Sequence, residues 1–172
     1  MKIFDVHTHV FPDRIAEAAI THLRAKAHGL PAYSNGTLGD LCIHAAKANY
    51  TAWLNAPVAT SERQMPSLNE WAAEHNHWPH LSMGGIYPNG NPEVVIDTIN
   101  RIKSLGLLGI KFHPEYQEFS PTDPKFTHIW EECSRLELPV LFHAGADIAF
   151  PETRHSSPKD FAVLAKRFPK LK

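Results

Sequence analysis

The sequence has almost no net charge and no long run of charges of one sign. Lysine and arginine together number 17 against 18 acidic residues, which gives a formal charge of -1. Proteins that bind nucleic acid through its phosphates usually carry a basic face or tail. We therefore expect no nucleic-acid partner.

Long apolar runs and paired cysteines are also missing. No stretch approaches the roughly 18 apolar residues of a membrane span, and the first residues, MKIFDVHTHVFPDR, contain no apolar core of a secretory leader. The two cysteines, Cys42 and Cys133, form no CxxC motif and no disulfide framework. These absences predict a cytoplasmic protein with reduced thiols and no membrane partner.

Histidine, by contrast, is abundant, with 12 copies. The composition is otherwise that of an ordinary soluble globular protein, with 43% apolar and 20% charged residues. No repeat, low-complexity tract or linker interrupts the chain, so residues 1–172 are predicted to form a single domain. Excess histidine suggests a metal site, but only the positions of the histidines can support one.

Short apolar runs alternate along the chain with longer segments of helical periodicity. This alternation predicts an α/β fold with a parallel sheet and right-handed crossovers. The predicted strands lie in 2–9, 50–59, 81–88, 107–114 and 139–146, and the predicted helices in 13–27, 38–48, 67–77, 92–105, 122–136 and 158–168.

Three of the five predicted strands end in histidine, at His9, His113 and His143. The carboxyl ends of parallel strands meet at one rim, so these rings are expected to be neighbours. His7 and His9 lie on the same strand face as Asp5, while Phe4 and Val6 point to the other face, where helices should cover them. Titratable groups directed into an interior are costly unless they are paired or bind a metal, so the pattern predicts a divalent cation.

A second pair of histidines with the same spacing, His75 and His77, lies in a predicted helix. Residues two apart on a helix point in different directions, so this pair is unsuited to chelating one ion. We expect His75, His77 and His80 to be solvated residues near a helix C-terminus.

The segments DVHTH, GIKFHP and LFHAG, placed at the first, fourth and fifth predicted strands, resemble the amidohydrolase superfamily, and most closely its amidohydrolase-2 branch. The resemblance implies a metal-dependent (β/α)8 barrel, with His7, His9 and His143 as metal ligands. In members with two metals a carboxylated lysine of the fourth strand bridges the ions, and Lys111 is the matching residue. The resemblance gives His113 no fixed role.

The resemblance leaves three functions open. The first is a hydrolase in which metal-activated water attacks an amide, lactam, lactone or related carbonyl; the second is a non-oxidative decarboxylase, a lyase with the same metal site; the third is an inactive metal-binding fragment. Imidazole ligands favour zinc, and manganese remains an alternative. The alternatives for Lys111 are a carbamate that bridges two ions, an ammonium that contacts substrate, or an ion pair with a barrel acid. Asp5 either supports the metal site or is a carboxylate bonded to backbone or to a barrel lysine.

The partner is expected to be a small molecule held by the loops that follow the strands. The candidate contacts there are His113, Tyr116 and Arg154, with Glu115 and His155 in the same loops. An arginine such as Arg154 can clamp a carboxylate, although a loop arginine is often simply solvated.

A complete (β/α)8 barrel needs roughly 200 to 250 residues, and the 172 residues hold about five β-α units. We therefore expect part of a barrel, a truncated segment in which Leu171 begins a sixth strand. The catalytic aspartate that the family carries on its eighth strand has no counterpart here, so the segment alone is expected to be inactive. The unpaired edges of such a sheet can pair with another copy of the chain, so a homo-oligomer remains an alternative.

Overall fold

A computed structural model describes all residues, 1–172. Its strands and helices alternate along the chain as the sequence predicts. The strands are β1 (Phe4–Thr8), β2 (Ala52–Asn55), β3 (His80–Ser82), β4 (Gly84–Gly85), β5 (Ile110–Phe112) and β6 (Val140–Phe142). The helices are α1 (Asp13–Lys26), α2 (Leu38–Lys47), α3 (Met65–Glu74), α4 (Pro92–Ser104), α5 (Pro114–Gln117), α6 (Thr127–Arg135) and α7 (Pro158–Arg167), with 3-10 turns at Glu62–Gln64 and Pro124–Phe126.

The strands pair in parallel and in chain order, which confirms the predicted α/β fold. β1, β2 and β3 form one set and β4, β5 and β6 the other. β3 and β4 are successive halves of one strand: the Met83 N–H donates to the Asn55 carbonyl at 2.9 Å, and the Gly84 N–H donates to the Gly109 carbonyl at 2.9 Å. The sheet is not closed, as expected of part of a (β/α)8 barrel.

The backbone beyond β6 continues this order. The Val140 N–H donates to the Lys172 carbonyl at 2.8 Å, so the last residues lie beside β6. This is the position at which the sequence predicts the start of a sixth strand.

Local sequence explains most helix ends. The Asn91 side chain accepts a hydrogen bond from the Glu93 N–H at 2.9 Å and caps α4, and Gly106 follows that helix with φ of 72°. The predicted helix over 122–136 differs, because it opens as a 3-10 turn and becomes α6 only at Thr127. The short α5 was not predicted.

The hydrophobic core lies over one half of the sheet. Its 17 buried residues come mainly from β5 and from α3, α4 and α6, and they include Trp130, Phe112 and Ile102. The face of β1 that was expected to pack against helices is instead open, with Phe4 53% and Val6 62% exposed. The prediction for this face was wrong, because the core is assembled over the β4–β6 half and not over β1.

None of the helices is long and apolar enough to cross a membrane.

The two glycines of β4 allow close packing around that strand. A Cβ on Gly85 would lie 2.8 Å from the backbone carbonyl oxygen of Pro57, and a Cβ on Gly84 would lie 2.7 Å from the Ile102 side chain. The Asn69 side chain forms two hydrogen bonds with β4: it accepts from the Gly85 N–H at 2.8 Å and donates to the Gly85 carbonyl at 2.9 Å.

Replacing Gly85 by alanine is expected to lower the free energy of unfolding by about 1–3 kcal/mol, because the backbone at Pro57 must move. Gly39→Ala is the matched control. Gly39 lies in α2, where the nearest atom to an added Cβ is 3.9 Å away, so this variant should gain about 0.4–1 kcal/mol. Urea denaturation measures the free energy of unfolding of both variants, which should fall for Gly85→Ala and rise for Gly39→Ala. Equal stability of the two variants would contradict the packing argument.

Candidate metal centre

Three histidines stand directly after strands at the carboxyl-end rim of the sheet. His9 follows β1, His113 follows β5 and His143 follows β6. The backbone positions the last two together, since the His143 N–H donates to the Phe112 carbonyl at 2.9 Å. The fold thus places the three histidines at strand ends, as the sequence predicts.

His7 and His9 direct their ring nitrogens at each other. Their Nε2 atoms are 3.1 Å apart, and the Lys111 Nζ lies 2.9 Å from the same His7 Nε2. β1 has a β-bulge here. Asp5 pairs with Trp53 and Thr8 pairs with Asn55, so three residues along β1 match two along β2.

This arrangement suits a cation better than it suits hydrogen bonding. A neutral imidazole has one lone pair, so His7 Nε2 has too few bonding sites for two nitrogen neighbours. Ligands of one tetrahedral zinc ion, with bonds of 2.0–2.1 Å, are roughly 3.3 Å apart, close to the 3.1 Å found between the two histidines. The His7 and His9 donors therefore fit a divalent ion.

Lys111 is fully buried, with no exposed surface. None of the salt bridges in the chain includes it, so the alternative of an ion pair with a barrel acid is wrong for residues 1–172. Loss of hydration lowers the pKa of Lys111 to about 8. The carbamate and the substrate-contacting ammonium remain as its alternatives.

A second donor set adjoins the first. The Nε2 atoms of His113 and His143 lie 3.3 Å and 3.8 Å from Oδ2 of Asp147, and the two imidazole rings are stacked with centroids 4.0 Å apart and planes 8° apart. The donor atoms of the three side chains all lie within 4.8 Å of one another. Sequence reasoning missed Asp147, although its place four residues after His143 was a usable signal.

The two sets are close enough for their charges to interact. Loss of hydration, and next the charges of Lys111 and His143, lower the pKa of His7. Loss of hydration, followed by the charge of His143, lowers the pKa of His113 to about 4. Both shifts favour the neutral imidazole, the form that ligates metals.

Asp5 is bonded locally. Its Oδ1 accepts a hydrogen bond from the His7 N–H at 3.1 Å. The carboxylate is thus bonded to the backbone of His7, and its support of a metal site stays a prediction.

Glu115 and His155 bind each other rather than the rim. The buried Glu115 carboxylate accepts from the Thr153 hydroxyl at 2.9 Å, from the His155 N–H at 2.6 Å and from His155 Nδ1 at 2.7 Å. These bonds give the two residues a structural role, because the carboxylate fixes the loop between β6 and α7.

The other two predicted substrate contacts differ in their placement. The Tyr116 ring packs edge-on against His113 with centroids 4.7 Å apart. Arg154 is exposed and takes part in none of the hydrogen bonds or ion pairs around the rim, so its proposed contact with a carboxylate stays a prediction.

The second histidine pair lies elsewhere in the fold, as expected, but His80 is not solvated. It begins β3, is 2% exposed and has no partner for either ring nitrogen. The expectation was wrong because strand pairing with β2 buries this residue. His75 instead ends α3, where its ring stacks on Trp71.

The rim of histidines on a parallel sheet agrees with a comparison to known families. A family model described as amidohydrolase matches residues 4–172. The chain belongs to the amidohydrolase-2 family. No curated protein matches the sequence of this amidohydrolase.

Several solved structures share the fold of this chain. The 5-carboxyvanillate decarboxylase of Sphingomonas paucimobilis matches with a TM-score of 0.73 and 17% identity, over 99% of this chain and 66% of that one. The IDCase of Metarhizium anisopliae matches with a TM-score of 0.71 and 12% identity, over 99% and 64%. A 2,6-dihydroxybenzoate decarboxylase complexed with 2,6-dihydroxybenzoate matches with a TM-score of 0.67 and 15% identity, over 100% and 66%.

The amidohydrolase chain thus spans slightly less than two thirds of the length of these structures, between 64% and 66%. Identities of 12% to 17% show a common fold and do not assign a substrate.

The burial of Lys111 should be visible in the pH dependence of stability. Its pKa is about 8 in the folded chain against 10.5 for an ordinary lysine, so the unfolded chain binds more protons between these values and the free energy of unfolding rises with pH there. Lys111→Met is expected to remove that part of the rise. Urea denaturation of the metal-free protein, at pH values below, within and above the interval, measures it.

Lys103→Met is the control, because Lys103 is exposed on α4. It should follow the wild-type pH dependence. If the free energy of unfolding of Lys111→Met changed with pH as it does in the wild type and in Lys103→Met, the pKa of Lys111 would not be lowered in the folded chain.

Proposed function

We propose that this amidohydrolase is a metal-dependent enzyme acting on a small carboxylic acid, and that its reaction is non-oxidative decarboxylation. The observation that carries the proposal is Lys111, a fully buried lysine with no acidic partner, whose Nζ lies 2.9 Å from His7 Nε2. A buried ammonium without a counter-charge is costly, and an anionic substrate would supply that charge.

The His7–His9 pair is the proposed anchor of the metal, with His143 the third ligand expected from the family pattern. When bound, a divalent ion supplies positive charge that stabilises an oxyanion or lowers the pKa of water. Zinc suits these imidazole donors, and manganese is the alternative.

The chain's own residues then bind and orient the substrate. The Lys111 ammonium donates to a substrate carboxylate or to an adjacent phenolate oxygen, a charge-assisted bond of the stronger kind. The neutral His113, close to Asp147 Oδ2 at 3.3 Å, is placed to pass a proton to or from the substrate side of the rim. Tyr116 packs on His113 and limits the movement of its ring.

Charge distinguishes decarboxylation from hydrolysis. A decarboxylase substrate is an anion at pH 7, whereas an amide, lactam or lactone at the scissile carbonyl is neutral and leaves Lys111 uncompensated. The named activities of two neighbours of the same fold, on 5-carboxyvanillate and on 2,6-dihydroxybenzoate, support the same choice of substrate class.

Hydrolysis is the second candidate. The observation in its favour is the His113 imidazole 3.3 Å from Asp147 Oδ2, since an imidazole paired with a carboxylate can accept a proton from attacking water. A small-molecule partner is common to both candidates.

The test is a parallel assay of the zinc-loaded and manganese-loaded protein. We expect carbon dioxide release from hydroxylated aromatic acids, which would overturn the expectation that residues 1–172 alone are inactive. The release should be lost on chelation and lost in His7→Ala plus His9→Ala. Hydrolysis of lactones or amides without carbon dioxide release would favour the second candidate. Metal binding without either activity would identify an inactive metal-binding protein.

Substrate binding gives a readout apart from turnover. Calorimetric titration with 2,6-dihydroxybenzoate should show at least about 10-fold weaker binding to Lys111→Met, because truncating one partner of a buried charge pair costs 2–5 kcal/mol. Lys103→Met should bind as the wild type does. Equal affinity of the acid and its methyl ester for the wild type would contradict the role given to Lys111.

A further inference from the structure

We propose that Gln117 is a positioning residue of the rim, which fixes His113 relative to the segments that follow β2 and β4. With 1% of its surface exposed, Gln117 cannot contact a substrate itself, so it acts through His113. The inference rests on the proposed function in that it explains how His113 is held where its ring can exchange a proton with the substrate.

The Gln117 side-chain amide forms three hydrogen bonds, all of them to backbone. Its Oε1 accepts from the His113 N–H at 2.9 Å, and its Nε2 donates to the carbonyls of Ala59 and Ile86, both at 2.7 Å. Ala59 lies beyond β2, Ile86 directly after β4 and His113 directly after β5. One side chain therefore joins the backbone beyond three strands.

This amide satisfies its partners in only one orientation. Its two N–H groups face two carbonyl oxygens, and its oxygen faces an N–H; a reversed amide would place its oxygen against both carbonyls. Ala59 and Ile86 are fully buried, so no water can replace a lost bond without a change in the backbone. Losing the amide leaves these buried carbonyls without a partner, which is costly.

The backbone of Gln117 holds His113 a second time. The Gln117 N–H donates to the His113 carbonyl at 2.9 Å, so both backbone groups of His113 bind the same residue. The Asn89 side chain donates to the Gln117 carbonyl at 2.8 Å and adds the β4–α4 loop to the connection. His113 therefore cannot move without moving Gln117 and the segments bonded to it.

The contacts of the His113 ring depend on this backbone position. The ring is stacked on His143 with centroids 4.0 Å apart, meets Tyr116 edge-on at 4.7 Å, and has its Nε2 atom 3.3 Å from Asp147 Oδ2. A displacement of about 1 Å can lower the rate of a positioned reaction about 100-fold. A residue that fixes the backbone of His113 is thus placed to affect the reaction.

Gln117 also connects the two sides of the rim. The Ala56 N–H donates to the carbonyl of Thr8 at 2.8 Å, and Thr8 lies between His7 and His9 in the chain. Ala56 is three residues before Ala59, which receives the Gln117 amide. The short segment 56–59 therefore joins β1 to Gln117, and through it the His7–His9 pair to His113.

The deciding experiment is nuclear magnetic resonance of the metal-free chain, with the ring protons of His113 as the readout. Aromatic neighbours shift the resonances of a stacked ring, so these protons report the contacts with His143 and Tyr116. Gln117→Met keeps the length of the side chain and removes all three side-chain bonds. We expect its His113 resonances to move toward those of an unstacked histidine.

Gln117→Glu is the conservative variant. Its carboxyl group can still accept from the His113 N–H, but it can donate to at most one of the two carbonyls and only when protonated. Its His113 resonances should lie between those of the wild type and of Gln117→Met. Circular dichroism identifies a variant that fails to fold, and Gln117→Glu then provides the comparison if Gln117→Met does not fold.

Asn76→Leu is the matched control. The Asn76 side chain accepts from the Ser82 N–H at 2.9 Å and donates to the Gly106 carbonyl at 3.0 Å, so it too joins two backbone segments. Gly106 precedes β5, at the end of the sheet opposite the rim. This variant should be less stable than the wild type in urea denaturation, with unchanged His113 resonances.

A kinetic measurement connects the position of His113 to the reaction. For carbon dioxide release from 2,6-dihydroxybenzoate by the zinc-loaded protein, Gln117→Met should lower kcat by about 10- to 100-fold. KM should change by less than about 3-fold, because Gln117 does not touch the substrate. A higher KM with unchanged kcat would overturn the role in positioning His113 for the reaction.

The outcomes separate this inference from the proposed function. Unchanged His113 resonances in Gln117→Met overturn the inference even if the wild type releases carbon dioxide. Equal changes in Gln117→Met and Asn76→Leu also overturn it, because Gln117 would then only stabilise the fold. Changes confined to the Gln117 variants support it, and a wild type that releases no carbon dioxide would contradict the proposed function alone.

Discussion

Parallel hydrogen bonding between successive strands is the constraint on which the rest of the structure depends. Each strand of a parallel sheet runs in the same direction, so the residues that follow the strands arrive at one rim. His9, His113 and His143 are brought together in this way from 134 residues of chain, and each of them stands immediately after a strand. The Lys111 Nζ reaches His7 Nε2 across 104 positions for the same reason.

Packing is unequal on the two sides of the rim. The core lies over β4–β6, where the glycines of β4 let helix α4 and the Pro57 backbone approach closely. On that side the donor set of His113, His143 and Asp147 is held by Glu115, which binds the β6–α7 loop, and by the stacking of the two histidine rings. On the other side β1 has an open face, and His7 and His9 are exposed. The more buried of the two donor sets is therefore the one assembled on the core.

Electrostatics gives the rim its chemical character. Imidazoles and one buried ammonium are concentrated there, while Asp5 binds backbone and Glu115 binds the β6–α7 loop. The carboxylate left to face the rings is that of Asp147. Such a site attracts cations through its imidazoles and the Asp147 carboxylate, and attracts anions through Lys111. Both properties suit a small acidic substrate held beside a divalent ion.

Periodicity in the sequence was sufficient to predict the α/β alternation, the parallel sheet and the placement of His9, His113 and His143 at strand ends, whereas Lys111 was singled out by the resemblance to the family. The predictions from periodicity succeed because strand alternation and strand ends are local properties that the fold only has to bring together. The burial of His80 and the exposure of Phe4 and Val6 depend on which elements cover which face, and no local pattern contains that information. Asp147 lies in the β6–α7 loop, and Glu115 in the short helix α5 binds that loop some 40 residues along the chain. The tertiary structure alone decided that Asp147 faces two histidines and that Glu115 does not.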